Sequence, residues 1–506
     1  MNVADLFRRQ ASSRPLGEAL RCGDLALTWS QVDRRTDALA TALIDRFETG
    51  ERIALLAINC HRYAESHAAC SKAGLITVPI NHRLTPVEVT QILDDVDARG
   101  IIFDARLADD LAVVLDRFGD RAIVFGRAID GACDYETLAS GSVATPPDRR
   151  HDINVVGFTS GTTGRARGAI LTQHIATTSG FWFAHLLGLD ARSSFLACMP
   201  AYVYRGQASM LAPVISGART IALPFDAGAV LAAIAKHRVT HVIFAPAMVD
   251  RLLAHPDMAT RDLSSLQSIW IGGAPTSPAV VQQLGEQVHA DIGSVYGMTE
   301  ATGIASMRWN LDESDDEVAR NLASVGRTGA LLDVRLVRDD GSDAGDDEVG
   351  EVTVHGDSLM QGYWGVPPDE TFVDGWYPTG DMATRDATGR LFLIDRRADI
   401  IVSGGLNVYA AEVEQLVGEH PAVMSCAIVS APDPTWGETV VAVVVVRPGA
   451  ALTLAELDQH CNARLARFKH PRRLVIIDEL PANAMGKVNK KLLREQLWAG
   501  RANSIG

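Results

Sequence analysis

The 506-residue chain contains no window that approaches the roughly 18 consecutive apolar residues needed to cross a bilayer, so no integral membrane segment is expected. Met1-Asn2-Val3-Ala4-Asp5-Leu6-Phe7 is not followed by a long apolar core and a small-residue cleavage site, and no secretory leader is expected either. Cysteine is sparse and without pattern. The seven residues Cys22, Cys60, Cys70, Cys133, Cys198, Cys426 and Cys461 are odd in number and form no CxxC pair. That excludes a disulfide framework and a zinc ribbon, and it points to a reducing, cytoplasmic setting. Positive charge is also in deficit. With 47 Lys and Arg against 62 Asp and Glu, the net charge is −15, which argues against a nucleic-acid partner. The acidic runs Asp312 to Glu317 and Asp339 to Glu348 lack calcium-loop spacing and read as solvated loops. Neither a Ser/His/Asp nor a Cys/His nucleophile arrangement is evident.

What is present is apolar residue in quantity. A hydrophobic content of 47% in a chain of this length fills more than one core. Short β-branched runs at 52–56, 75–80, 100–103 and 122–125 alternate with helical stretches, the pattern of an α/β fold. A hairpin is expected over 19–29, with a helix starting near Ser30 as its N-cap. From Val334 to Gly356 strands predominate, which suggests a small distorted β-barrel. Hydrophobicity breaks at Asp395-Arg396-Arg397-Ala398-Asp399 before a fresh α/β series, placing a domain boundary there: residues 1–395, then a smaller domain over 396–506.

Four stretches carry chemistry. Thr159-Ser160-Gly161-Thr162-Thr163-Gly164-Arg165-Ala166-Arg167-Gly168 follows a strand and combines glycines, hydroxyls and arginines. Glycine lets amides turn inward, hydroxyls donate hydrogen bonds and Arg167 neutralises charge, so the stretch suits phosphate. It lacks the Gly-Lys-Ser/Thr ending of a P-loop hydrolase, and an ordinary Ser/Gly loop remains open on these residues alone. Strands also end at Gly272-Gly273-Ala274-Pro275 and at Tyr296-Gly297-Met298-Thr299-Glu300, the end of an open sheet where ligands bind. Tyr296 offers a ring for a purine, Thr299 a donor to phosphate, and Glu300 a hard oxygen for Mg²⁺. Asp381, after Thr379-Gly380, can accept two ribose hydroxyls. Each of the last three has a bland alternative as a turn or a surface carboxylate.

Taken in this order, the motifs resemble those of the adenylate-forming superfamily, which holds acyl-CoA synthetases, standalone adenylation domains and luciferases. The resemblance runs from about Leu27 to Leu493. It implies a large amino-terminal domain built of two α/β subdomains and a distorted barrel, followed by a small mobile lid. By the same resemblance Thr159 to Gly164 and Arg167 hold phosphate, Gly273, Ala274, Pro275 and Tyr296 hold adenine, Asp381 holds ribose, and Glu300 holds magnesium. Thr299 contacts the α-phosphate, Arg396 the nucleotide, and Lys487, in Gly486-Lys487, is the adenylation lysine. Ser403, Gly404 and Gly405 match the loop along the thiol path of CoA. Ala398 stands at the hinge, where the family has Asp or Lys. Ala166-Arg167 replaces Pro-Lys, and Val203 replaces a histidine beside the acyl site.

The reaction implied is ATP-dependent activation of a carboxylic acid as acyl-AMP, then transfer to CoA. Trp182, Tyr202, Val203, Tyr204, Phe244, Gly272 and Met298 are the expected acid pocket, and their aromatic bias favours an aromatic or medium-sized hydrophobic acid. Arg205 reads either as a surface residue or as a partner for a second carboxylate. Expected partners are that acid and CoA, with a homodimer the assembly entertained. A standalone adenylation enzyme loading a carrier-protein thiol is a rival reading, although no carrier domain is evident and Ser403-Gly404-Gly405 is closer to the CoA-using pattern. A non-catalytic nucleotide-binding regulator is another, raised by the departures at Ala166, Arg167, Val203 and Ala398.

Overall fold

The computed structural model describes the chain apart from residues 142–145, 147, 160–165, 275, 312, 463, 483–487 and 500–506, and apart from the side chains of residues 110, 112 and 113. It is an α/β assembly of three sheets. Unbroken runs of Ala, Val, Leu, Ile and Phe fill the interiors of Arg52–Leu56, Gly100–Asp104 and Ala122–Phe125, as strands buried on both faces require. They pair in parallel, with Ile76–Pro79 and Ile153–Thr159 completing the row and Arg167–Thr172 returning antiparallel on its edge.

The second sheet has a parallel centre formed by Arg219–Ala222, Ser194–Ala197, His241–Phe244, Ser268–Gly272 and Asp291–Tyr296. The hairpin Glu18–Cys22 with Leu25–Thr28 extends one edge. At the other edge, Ala305–Trp309 and Gly326–Thr328 turn the sheet antiparallel. The β-rich third segment joins there: Arg390–Arg396, Tyr377–Arg385, Gly350–Gly356 and Leu332–Val337 form an antiparallel ladder hydrogen-bonded to Gly326–Thr328. Its inward residues belong to the same apolar core as the parallel strands.

The third sheet starts at Ile401 and has its own core around Val413, Val440 and Val444. No helix among the described residues is long and apolar enough to cross a membrane.

Local chemistry corrects three expectations. Thr28, not Ser30, caps the helix Trp29–Ile44, because its hydroxyl takes the Gln31 amide while the Gln31 side chain returns to Thr28. Tyr204, expected in the wall of the acid pocket, instead opens the helix Tyr204–Ser216 together with Arg205 and Gly206, its side chain buried. A Cβ on Gly206 would lie 2.3 Å from the Pro200 carbonyl, so glycine is what lets that helix start so close to the strand end. Part of the first acidic run is also not loop. Asp315, Asp316 and Glu317 form the first turn of the helix Asp315–Ala323, where carboxylates meet the positive helix end.

Candidate active site

The parallel strands Ser194–Ala197, Ser268–Gly272 and Asp291–Tyr296 share one sheet, and of the expected site residues Gly272, Gly273, Tyr296, Met298, Thr299 and Glu300 stand at or just beyond their carboxyl ends. Asn59, buried in the neighbouring layer, shapes the first of these ends. Its amide donates to the Ala197 and Met199 carbonyls at 3.2 and 2.6 Å, and its oxygen accepts from the Ala201 amide at 2.9 Å. Three bonds from one side chain fix the segment leading into Tyr202 and Val203. Asn59 carried no motif signal in the sequence.

Tyr296 and Asp381 meet across the site. The Tyr296 hydroxyl donates to Asp381 Oδ2 at 2.5 Å, and Arg396 Nε lies 2.6 Å from Asp381 Oδ1. Burial first, and then the Asp381 charge, push the Tyr296 hydroxyl well above its ordinary pKa, so it stays a donor. Arg396 also donates to the Thr379 carbonyl at 3.2 Å. Three residues assigned separately to adenine, ribose and nucleotide are thus one hydrogen-bonded group, supplied by two parts of the chain far apart in sequence.

Glu300 is buried, and its Oε1 accepts from the Tyr363 hydroxyl at 2.8 Å. Tyr363 lies in turn 2.9 Å from the Tyr377 hydroxyl. Burial, followed by the Glu300 charge, raises both phenols, Tyr377 to about 12. The Arg167 guanidinium sits 4.1 Å over the Tyr363 ring, with its Nε buried and lacking a partner among the described residues. Arg167 and Glu300 thus share Tyr363 as a neighbour, one at its ring and the other at its hydroxyl. Tyr363 and Tyr377 were not among the expected site residues, although Tyr377 stands four positions before Asp381.

The phosphate stretch begins where Thr159 pairs with Arg167 across an antiparallel ladder, which brings its two ends together. Ser160, Gly161, Thr162, Thr163 and Gly164 lie outside the described residues, as do Pro275 and Lys487. Thr299 packs close to the strand before the stretch: a Cβ on Gly157 would lie 3.2 Å from its methyl. Gly168, expected to help the turn, is instead a strand residue whose missing side chain makes room for Val156, since a Cβ there would lie 2.6 Å from Val156 Cγ1.

A small, partly open cleft is lined by Phe183, Arg205, Val295, Gly297, Met298, Thr302 and Gly303. Of the expected pocket residues, Met298 lines it directly. Trp182 stands behind, since a Cβ on Gly303 would come within 2.9 Å of its ring. Gly272 forms the tight floor beneath Val295. Tyr202 packs edge-on to His82 with ring centres 5.4 Å apart. Phe244 is buried in the core, and Tyr204 is buried with its hydroxyl 3.5 Å from Ser179 Oγ, so neither lines this cleft.

In the small sheet, Ile401–Ser403 and Leu406–Val408 are joined by Gly404 and Gly405, both left-handed at φ +62° and +78°. Two such residues in a row make the tight hairpin turn that favours glycine. The Ser403 hydroxyl accepts from Arg472 at 2.9 Å. Ala398 lies exposed in the short helical turn Arg397–Asp399. Its neighbours carry the polar contacts: Arg397 pairs with Asp339 and Glu351, and Asp399 with Arg494.

Two family profiles match the chain, the AMP-binding enzyme over residues 7–364 and the AMP-binding enzyme C-terminal domain over residues 412–487. The chain belongs to the AMP-binding enzymes. Among relatives of this AMP-binding enzyme, a feruloyl-CoA synthase from an Amycolatopsis species is 34% identical over 96% of this chain and 97% of its own. The amide bond synthetase McbA from Marinactinospora thermotolerans superposes with a TM-score of 0.86 at 28% identity, over 98% of this chain and 99% of its own. ATP-bound MatB from Rhodopseudomonas palustris gives a TM-score of 0.87 at 25% identity, again over 98% and 99%. The family, the large mixed α/β part and the small α+β part agree with the expectation from sequence.

Proposed function

We propose that this AMP-binding enzyme is a carboxylic acid:CoA ligase that forms AMP, activating an aromatic or medium-sized hydrophobic acid. The observation that carries the reading is the convergence of Tyr296, Asp381 and Arg396 beside buried Glu300 and Arg167. An aromatic face, a carboxylate, a lone metal-ready oxygen donor and a cation are the parts a nucleotide triphosphate needs. Asp381 would take ribose hydroxyls, the Tyr296 ring would take the base, and Arg167 with Thr299 would face phosphate oxygens. Glu300 fits Mg²⁺, an ion that takes one or two protein carboxylates and fills its remaining positions with phosphate and water. The ion would supply charge neutralisation at the phosphates. No general base is needed, because the attacking carboxylate is already ionised at neutral pH. Lys487 is proposed as the cation that follows charge onto the α-phosphate.

CoA is favoured as acceptor by the Gly404-Gly405 turn beside Ser403 and by the CoA ligases among the relatives. The test is an acid panel with ATP and Mg²⁺, in which AMP, pyrophosphate and acyl-CoA are resolved by mass. AMP and pyrophosphate appearing together, with CoA consumed, is the expected result. AMP with CoA untouched would transfer the reading to a carrier-protein or amine acceptor, and no AMP with any acid would overturn it.

A further inference from the structure

Arg205 is the observation that the reaction above leaves unused. It stands in the first turn of the helix Tyr204–Ser216, partly buried, and its Nη2 donates to the Gly297 carbonyl at 2.9 Å. The other side of the guanidinium lies against Gly273, where a Cβ would come within 2.4 Å of Nη1. No acidic side chain among the described residues is paired with it. Burial lowers its pKa to about 10, which still leaves it charged at neutral pH. A guanidinium has five N–H donors, and a cation withdrawn from water is costly unless an anion meets it.

The surroundings state what kind of anion. Arg205 is the charged residue in a cleft otherwise lined by Phe183, Val295, Met298, Thr302 and glycines, with Trp182 behind Gly303. We infer that this cleft takes a dicarboxylic acid, its apolar spacer lying against Phe183, Val295 and Met298 and its second carboxylate bound by Arg205. The inference rests on the ligase reading and narrows its substrate class from any hydrophobic acid to one with a second negative end. A planar fork gripping a carboxylate gives two parallel bonds, which a monoacid forfeits. The rival role is a staple: by holding Gly297 while lying on Gly273, Arg205 would only position two loops.

The experiment compares kcat/KM for pyrophosphate release with straight-chain C4 to C8 diacids and benzenedicarboxylates against the monomethyl ester of each. Wild-type enzyme is expected to prefer the best diacid over its ester by roughly 100-fold, the loss typical when one partner of a desolvated charge pair is removed. Arg205→Met is expected to bring that ratio within about threefold of unity, with Arg205→Lys intermediate, because a point charge cannot form the paired bonds. A wild-type enzyme that turns over esters or monoacids as well as diacids overturns the inference while leaving the ligase reading intact. So does Arg205→Met losing both classes equally, which is the signature of a staple. Wild-type enzyme that forms no AMP with any acid removes the ligase reading itself. The wild-type diacid and ester comparison needs no variant to fold.

Discussion

Removing the Tyr296 hydroxyl and then its ring separates two contributions that the site combines. Tyr296→Phe deletes one donor to a buried carboxylate, a contact of 2.5 Å. Hydrogen bonds to charged groups are worth about 1.5–3 kcal/mol. Asp381 keeps the Arg396 contact at 2.6 Å, so the lower end applies, about 1.5 kcal/mol. At 1.4 kcal/mol per decade that is roughly a tenfold fall in kcat/KM for ATP. Tyr296→Ala also removes the face offered to the base, for which stacking adds roughly 1–3 kcal/mol, a further five- to 150-fold. The assay is pyrophosphate release with ATP varied at saturating acid, then acid varied at saturating ATP. The losses should fall on the ATP side in both variants and grow from Phe to Ala. If Phe and Ala variants are equal, the ring contacts nothing that matters to binding. If the loss falls on the acid side, the assignment of this group to the nucleotide is wrong.

Other expectations follow from the same geometry. Gly404→Ala forces a side chain onto φ +62° with its Cβ 2.7 Å from the Trp436 ring, so transfer of supplied acyl-AMP to CoA should slow while acyl-AMP formation holds. Equal loss in both half-reactions would count against a thiol path at this turn. Gly272→Ala places a methyl 2.3 Å from the Val295 carbonyl oxygen. It should cost roughly 1–3 kcal/mol, seen as a lower urea midpoint. An unchanged midpoint would mean that this floor yields. Burial, the largest cause in each case, lowers the pKa of His61, His67 and His241 to about 4. Their folded values lie below the unfolded value near 6.5, so unfolding takes up protons between the two. Stability should therefore be full above pH ~6.5 and fall as pH drops toward ~4, with a reduced slope in His67→Gln. A flat stability profile across that window would refute it.

The parallel strands were legible because doubly buried strands leave apolar runs that no loop would carry. Tyr296, Asp381 and Arg396 were legible as separate motifs, whereas their hydrogen-bonded union is a matter of tertiary register that no local pattern records. Tyr363, Tyr377 and Asn59 escaped notice because a tyrosine or asparagine looks the same in sequence whether it braces a site or faces water. Tyr204 and Phe244 erred the other way: aromatic residues at strand ends suit a pocket wall and a core equally well. Helix starts slipped by a residue or two where two hydroxyls compete for the cap, as Thr28 and Ser30 do.

The pairing of Asp399 with Arg494 reaches further than its own neighbourhood. Arg494 belongs to the helix Lys490–Trp498, whose first residues follow Lys487 closely in the chain, and Trp498 is hydrogen-bonded to the Ser430 carbonyl of the small sheet. The turn at Asp399, the terminal helix and the small sheet are therefore tied together by two side chains of that helix. Losing that pair, as in Asp399→Asn, should loosen the helix Lys490–Trp498 from the turn Arg397–Asp399 while leaving its Trp498 contact with the sheet in place.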